Sequence, residues 1–293
     1  ELDLNENFKI IDIKSFNANY VNDKNILNDI YIKKDKSNYI IQGESFDSSS
    51  VINSIMDNDE QGSSIFHNLN SKISIKIKKT YIDEVNYMNN LHGDINFNNN
   101  KIKSLKLESS FPNQKKIKLS IETKNNSETI TRLITNYPKP LIKRYDFIKG
   151  FEEGSLDFFS SKKGNISNSV LIIDNFKVKE VPVFAKLLSL ASLQGIADLL
   201  TGEGIRFTDF EMSFSNQKGL TTIDEMYAIG PAVSILMDGY IKSKELTSLR
   251  GTLVPATTIN RSISSIPLLG KILIGEKTGE GVFGVSFKIK GPP

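Results

Sequence analysis

Lys72–Lys78 reads Lys-Ile-Ser-Ile-Lys-Ile-Lys, with Ile73, Ile75 and Ile77 alternating against Lys72, Ser74, Lys76 and Lys78. Successive side chains of an extended chain point to opposite faces, so this pattern predicts a strand with one apolar and one wet face. Half-buried strands of this kind belong to antiparallel sheets, whereas strands of parallel sheets are covered on both faces and read as continuously apolar. The alternation recurs in Lys116–Glu122, through Ile117, Leu119 and Ile121. It recurs again near the end, where Phe283, Val285, Phe287 and Ile289 alternate with Gly284, Ser286, Lys288 and Lys290. Turn-forming stretches separate such runs, among them Asn98-Asn99-Asn100, Lys124-Asn125-Asn126 and Asn216–Gly219. Between Ile102 and the pair Leu105 and Leu107 the alternation slips by one residue, which predicts a β-bulge.

The 293 residues, 39% of them hydrophobic, supply enough apolar material for a real core, and no apolar run reaches the roughly 18 residues of a membrane span. A net charge of +3, carried by lysines scattered singly along strands, argues against nucleic acid, which calls for a clustered basic patch. Without cysteine there is neither a disulfide nor a thiolate metal site. The first residue is Glu1 and the last are Gly291-Pro292-Pro293, which read as the cut ends of a fragment from a longer protein.

Two segments depart from the strand pattern. Val183–Leu200, between Pro182 and Thr201-Gly202-Glu203-Gly204, is expected to be a helix, with Phe184, Leu187, Leu188 and Leu199 among its apolar residues. Only Lys186 and Asp198 are charged in it, so it wants cover on most sides, from the apolar face of the sheet or from a membrane. Ile259–Ile274 carries Ile259, Ile263 and Ile266 at helical spacing before Pro267. A short helical cap on the end of the sheet is expected there, a membrane-touching element being the alternative.

Signals for chemistry are weak throughout. His67 and His92 stand in no metal-ligand spacing. Gly270–Thr278 imitates a phosphate-binding loop, but Glu276 stands where its lysine belongs and a strand follows instead of a helix. Asp57–Gly62 opens like a calcium loop, yet its twelfth position is Asn68 instead of the bidentate glutamate. No catalytic, cofactor-binding or metal-binding residue is therefore assigned, and the chain is expected not to be an enzyme.

The second half carries a distinctive series of phrases: Val181–Leu200, Gly202–Phe207, Ala228–Ala232, Asp238–Ile241, Leu249–Ala256, Asn260, Ile266–Gly270 and Gly279–Phe283. In that order and spacing they resemble the C-terminal region of AsmA-like proteins of the YhdP and TamB type. Gly43–Val51 and Tyr145–Leu156 extend the resemblance into the first half, where lysine-rich replacements depart from it. The resemblance implies a bridge-like lipid transfer protein of diderm bacteria, anchored in the inner membrane and reaching through the periplasm. Its long antiparallel sheet would curl into an open, taco-like groove along which phospholipid acyl chains pass to the outer membrane. A scaffold for outer-membrane protein assembly is the alternative that such relatives suggest.

The alternating residues Ile73, Ile75, Ile77, Ile117, Leu119, Ile121, Phe283, Val285, Phe287 and Ile289 are the candidate groove lining. From the pattern alone a closed sandwich is the expected arrangement, two such faces burying each other; the resemblance favours the groove. Gly202, Gly204, Gly230, Pro231, Gly239, Gly251, Pro255, Asn260, Pro267, Gly270 and Gly281 are read as shaping the C-terminal module through turns, bulges and close approaches. A sheet segment over 1–160 and a C-terminal module over 161–293, with strands and the two helical elements, complete the expected organisation, the two parts sharing one continuous sheet.

Overall fold

The computed structural model describes residues 1–8, 10–56, 69–124, 127–144, 148–179, 204–231, 233–243, 245–255 and 285–292. The expected helix at 183–200 and the cap at 259–274 lie outside these residues. The protein is mainly β, and the chain divides into two compact units, Glu1–Tyr137 and Pro138–Pro293.

In the first unit a two-stranded sheet of β1 (Leu2–Leu4) and β2 (Ile10–Ile13) precedes a meander. The meander is β3 (Ser15–Val21), β4 (Leu27–Asp35), β5 (Asn38–Asp47), β6 (Lys72–Tyr81), β7 (Tyr87–Asn98), β8 (Lys101–Ser110), β9 (Lys116–Lys124) and β10 (Glu128–Thr135), hydrogen-bonded in chain order. Every neighbouring pair is antiparallel except β5 and β6, which run parallel, so the expected antiparallel sheet is in fact mixed. A parallel pair needs a crossover of about a dozen residues or more. Ser48–Ser71 supplies it and includes helix α1 (Ser49–Met56). Its first turn is held by Asp47, whose carboxylate accepts from the Ser49 N–H at 2.9 Å and from the Asn22 side chain at 2.8 Å.

Turn chemistry fixes the register. Asn99 and Asn100 both take positive φ between β7 and β8, as a two-residue primed turn demands, and asparagine is among the residues that tolerate it. The expected bulge is present: Asn96 pairs with Ser104 and Phe97 with Ile102, leaving Lys103 as the extra residue on β8.

The loops at the opposite end of the strands are wider, and each buries one apolar residue: Ile26, Ile82 and Phe111, the last meeting Tyr137 edge to face at 5.1 Å. The tight-turn end is covered differently. There Ile13 from β2 and Leu69 pack with Tyr39, joined by Ile10, Ile32, Ile73 and Phe97.

In the second unit a short helix α2 (Lys139–Arg144), with Pro140 and Ile142 buried, leads into β11 (Phe151–Lys163) and β12 (Ile166–Val178). Then come β13 (Ile205–Gln217), β14 (Leu220–Ile229), β15 (Val233–Lys242), β16 (Leu246–Pro255) and β17 (Val285–Gly291), all neighbours antiparallel. Its core is aromatic. Phe176 stacks between Phe151 and Phe207 at 5.4 and 5.3 Å and meets Phe210 edge-on at 6.2 Å. Phe210 also pairs with Ile173, so residues three apart on β12 share one face. The ladder skips Gly154 and Asn175, both at positive φ, and this irregularity resets the alternation between Ile173 and Phe176.

Candidate functional site

Register places one apolar side chain, or a glycine, from every strand of the first unit's meander in a single line. Phe16 pairs with Ile32, Ile32 with Ile41, Ile41 with Ile75, and Ile75 with Gly93. Gly93 pairs with Leu107, Leu107 with Leu119, and Leu119 with Leu133. At about 4.8 Å between strands, the seven spacings give a strip roughly 34 Å long, crossing the strands. Phe16 is 37% exposed, the other members are all half-buried, and none is closed off from solvent.

The line one position over is a different surface. Asn17, Tyr31, Gln42, Lys76, His92, Glu108 and Lys118 pair in the same succession, and all are exposed. Here charges meet each other: the Lys118 ammonium donates to Glu108 at 2.9 Å and holds that carboxyl below the usual carboxylate range. The sheet is therefore two-sided in the first unit, greasy on one face and wet on the other.

Of the candidate lining residues, Ile75 and Leu119 lie in this half-buried strip. Ile73 and Ile121 belong to the next apolar line towards the tight-turn end, Tyr39–Ile73–Ile95–Leu105–Ile121, in which Tyr39, Leu105 and Ile121 are buried. Ile77 and Ile117 are buried as well. The strip thus runs between two better-covered margins. At one margin stand the plugging residues Ile26, Ile82 and Phe111. At the other stand Ile13, Tyr39 and Leu69.

Gly93 forms a notch in the strip. Its φ is +149°, and a Cβ there would lie 1.9 Å from the Lys106 carbonyl oxygen, so the backbone of β8 passes where a side chain would stand.

In the second unit Val285 and Phe287 are half-buried and Ile289 is 44% exposed, opposite Leu253, Gly251 and Leu249 respectively. Phe283 lies outside the described residues, as do Phe184, Leu187, Leu188, Leu199, Gly202, Asn260, Pro267, Gly270 and Gly281. Gly204 is buried at positive φ beside the Val178 carbonyl, and Gly230 is buried against the Arg206 carbonyl with exposed Pro231 after it. Gly239 sits at φ +140° against Ser248. A Cβ on Gly251 would lie 2.6 Å from both Met237 and Phe287, whose side chains close over it. Pro255 pairs with Val233 at the end of β16.

Residue patterns missed Phe16, Ile32, Ile41, Leu107 and Leu133. Ile30 and Ile32 do alternate with polar neighbours, but Tyr39-Ile40-Ile41 is apolar on both faces and conceals which one belongs to the strip.

A strip of hydrocarbon side chains offers no donors or acceptors, so it can recognise a ligand only by removing apolar surface from water. Among the described residues no three His, Asp or Glu side chains come together as a metal site, and no helix is long and apolar enough to cross a membrane. No family model, curated protein or solved structure matches the chain.

Proposed function

We propose that the chain is a groove segment of a periplasmic, bridge-like protein that conducts phospholipids between the inner and outer membranes of a diderm bacterium and so supports outer-membrane lipid homeostasis. The observation that carries this reading is the partly buried apolar strip from Phe16 to Leu133, bordered by buried residues on both sides and backed by a polar face. A sandwich core would cover such a line fully; the partial exposure of its members supports the groove reading.

Its estimated length of roughly 34 Å compares with about 15 Å for one leaflet of a bilayer's hydrocarbon core, so an acyl chain can lie along it with room to slide. An acyl chain burying ten methylenes gains about 8 kcal/mol before the cost of association. Nothing in the strip demands a particular head group, which suits passage of mixed phospholipids. The resemblance of the C-terminal phrases to AsmA-like proteins supplies the compartment, the inner-membrane anchorage of the parent and the two membranes as partners.

Native mass spectrometry of the purified chain tests the reading. Co-purifying phospholipid, lost on substituting Leu107 and Leu119 together with glutamate, is the expected result. Lipid-free protein that also fails to take up a fluorescent phospholipid would overturn it. Crosslinks to unfolded outer-membrane proteins in its place would favour a scaffold for their assembly.

A further inference from the structure

The edge of the first unit's meander is unusually bare. Among the described residues β3 ends the strand order, and it reads Ser-Phe-Asn-Ala-Asn-Tyr-Val from Ser15 to Val21, with no charge, no proline and no bulge in its ladder to β4. Edge strands are ordinarily protected from joining other sheets by lysines, prolines or bulges. β17, which ends the strand order in the second unit, has that protection, with Lys288 and Lys290 exposed. On β3 Phe16 and Tyr20 are 37% and 51% exposed, and Asn17 and Asn19 are exposed on the other face.

The sequence of β3 is also complementary to itself. Turned antiparallel about Ala18, it sets Phe16 against Tyr20, Asn17 against Asn19, and Ala18 against its own copy. Aromatic pairs fall on the apolar face and asparagine pairs on the wet face, both favourable across strands. Centred in this way, the pairing uses the ladder from Phe16 to Tyr20.

We propose that β3 pairs with β3 of a second copy of this chain, in antiparallel register centred on Ala18, to form a two-fold symmetric dimer. The apolar strip then continues across the dimer axis from Phe16 of one copy to Tyr20 of the other. The contact is small, so the association is weak and depends on concentration. The pairing rests on β3 alone and stands whether or not the strip carries lipid.

The absence of cysteine makes a clean test possible. Ala18→Cys brings two sulfurs together at the axis, with Cβ atoms about 5 Å apart, close enough for a disulfide to form. Tyr20→Cys leaves its two copies roughly 13 Å apart, four residues out of register. On mild oxidation of the concentrated protein, Ala18→Cys is expected to run mostly at twice 32.8 kDa without reductant, and Tyr20→Cys alone as monomer. A mixture of Phe16→Cys and Tyr20→Cys chains should crosslink to each other, which keeps the register testable if Ala18→Cys folds poorly by circular dichroism. The proposal falls if Ala18→Cys folds and stays monomeric, as it would if the edge serves a strand of some other protein. It falls equally if Tyr20→Cys alone crosslinks as well as Ala18→Cys, or if the mixture does not crosslink.

Discussion

Two lines of paired residues, one in each unit, start from the same period-two pattern and end in different surroundings. In the second unit Leu156, Ile173, Phe210, Ala228, Ile235 and Leu253 pair in succession across β11 to β16, and all are at most 8% exposed. In the first unit Phe16, Ile32, Ile41, Ile75, Leu107, Leu119 and Leu133, with Gly93 among them, remain open to solvent in part. Apolar alternation is thus a statement about faces, not about burial. Large side chains help close the second line, Phe176 packing edge-on against its Phe210 with Phe151 and Phe207 stacked on either side. Apart from Phe16 at its outer end, the first line is aliphatic, with a notch at Gly93 and cover confined to its margins, so it keeps a partly accessible surface that contributes less to stability than its composition suggests.

The largest expected effect lies in the buried line. Phe176→Ala removes a ring that is 2% exposed and touches three others, and should cost about 3–5 kcal/mol of stability, read from the midpoint of urea denaturation. An effect below about 1 kcal/mol would mean that the second unit is as open as the first.

Leu119→Ala should cost about 1 kcal/mol, because a half-buried leucine has less contact to lose. The same change should weaken phospholipid retention several-fold, whereas Phe176→Ala should leave any lipid bound to the first unit in place as long as that unit stays folded. Were Leu119→Ala to cost as much as the phenylalanine, the distinction between the two lines would collapse.

The smallest effect is electrostatic and confined to the first unit. The Asp12 carboxylate of β2 accepts hydrogen bonds from the Lys34 ammonium of β4 and, at 2.8 Å, from the Tyr39 hydroxyl of β5, which hold its carboxyl below the usual carboxylate range. A lowered folded value favours the ionised state, so this contribution is full above the unfolded value near pH 4 and is lost as pH falls through the lower folded one. Amide exchange over Ile10–Ile13 should accelerate in that acid window relative to β12, and Asp12→Asn should remove the pH dependence. Equal acceleration in both strands would locate the sensitivity elsewhere.

The sequence made single strands and turns legible because their causes are local. Ile73, Ile75 and Ile77 show the two faces of β6, and the slip after Ile102 shows a bulge that the ladder places at Lys103. The strip itself was hidden, since it exists only once the register of eight strands is fixed. Three features obscure that register. β5 and β6 are joined in parallel through a crossover of many residues, Tyr39-Ile40-Ile41 is apolar on both faces, and the ladder skips a residue on β5 between Gly43 and Ser45. The aromatic core of the second unit was hidden for a related reason. Phe207 and Phe210, three apart on β13, look like opposite faces until the irregularity at Gly154 and Asn175 brings Phe176 against both.

Photocrosslinking tests the central claim most directly. A benzophenone amino acid at Ile75, Leu107 or Leu119 should capture phospholipid in cells, while the same group at Lys76, Glu108 or Lys118, one position away on the same strands, should capture none. Equal capture on both faces, or no lipid at the three strip positions in folded protein, would contradict the account.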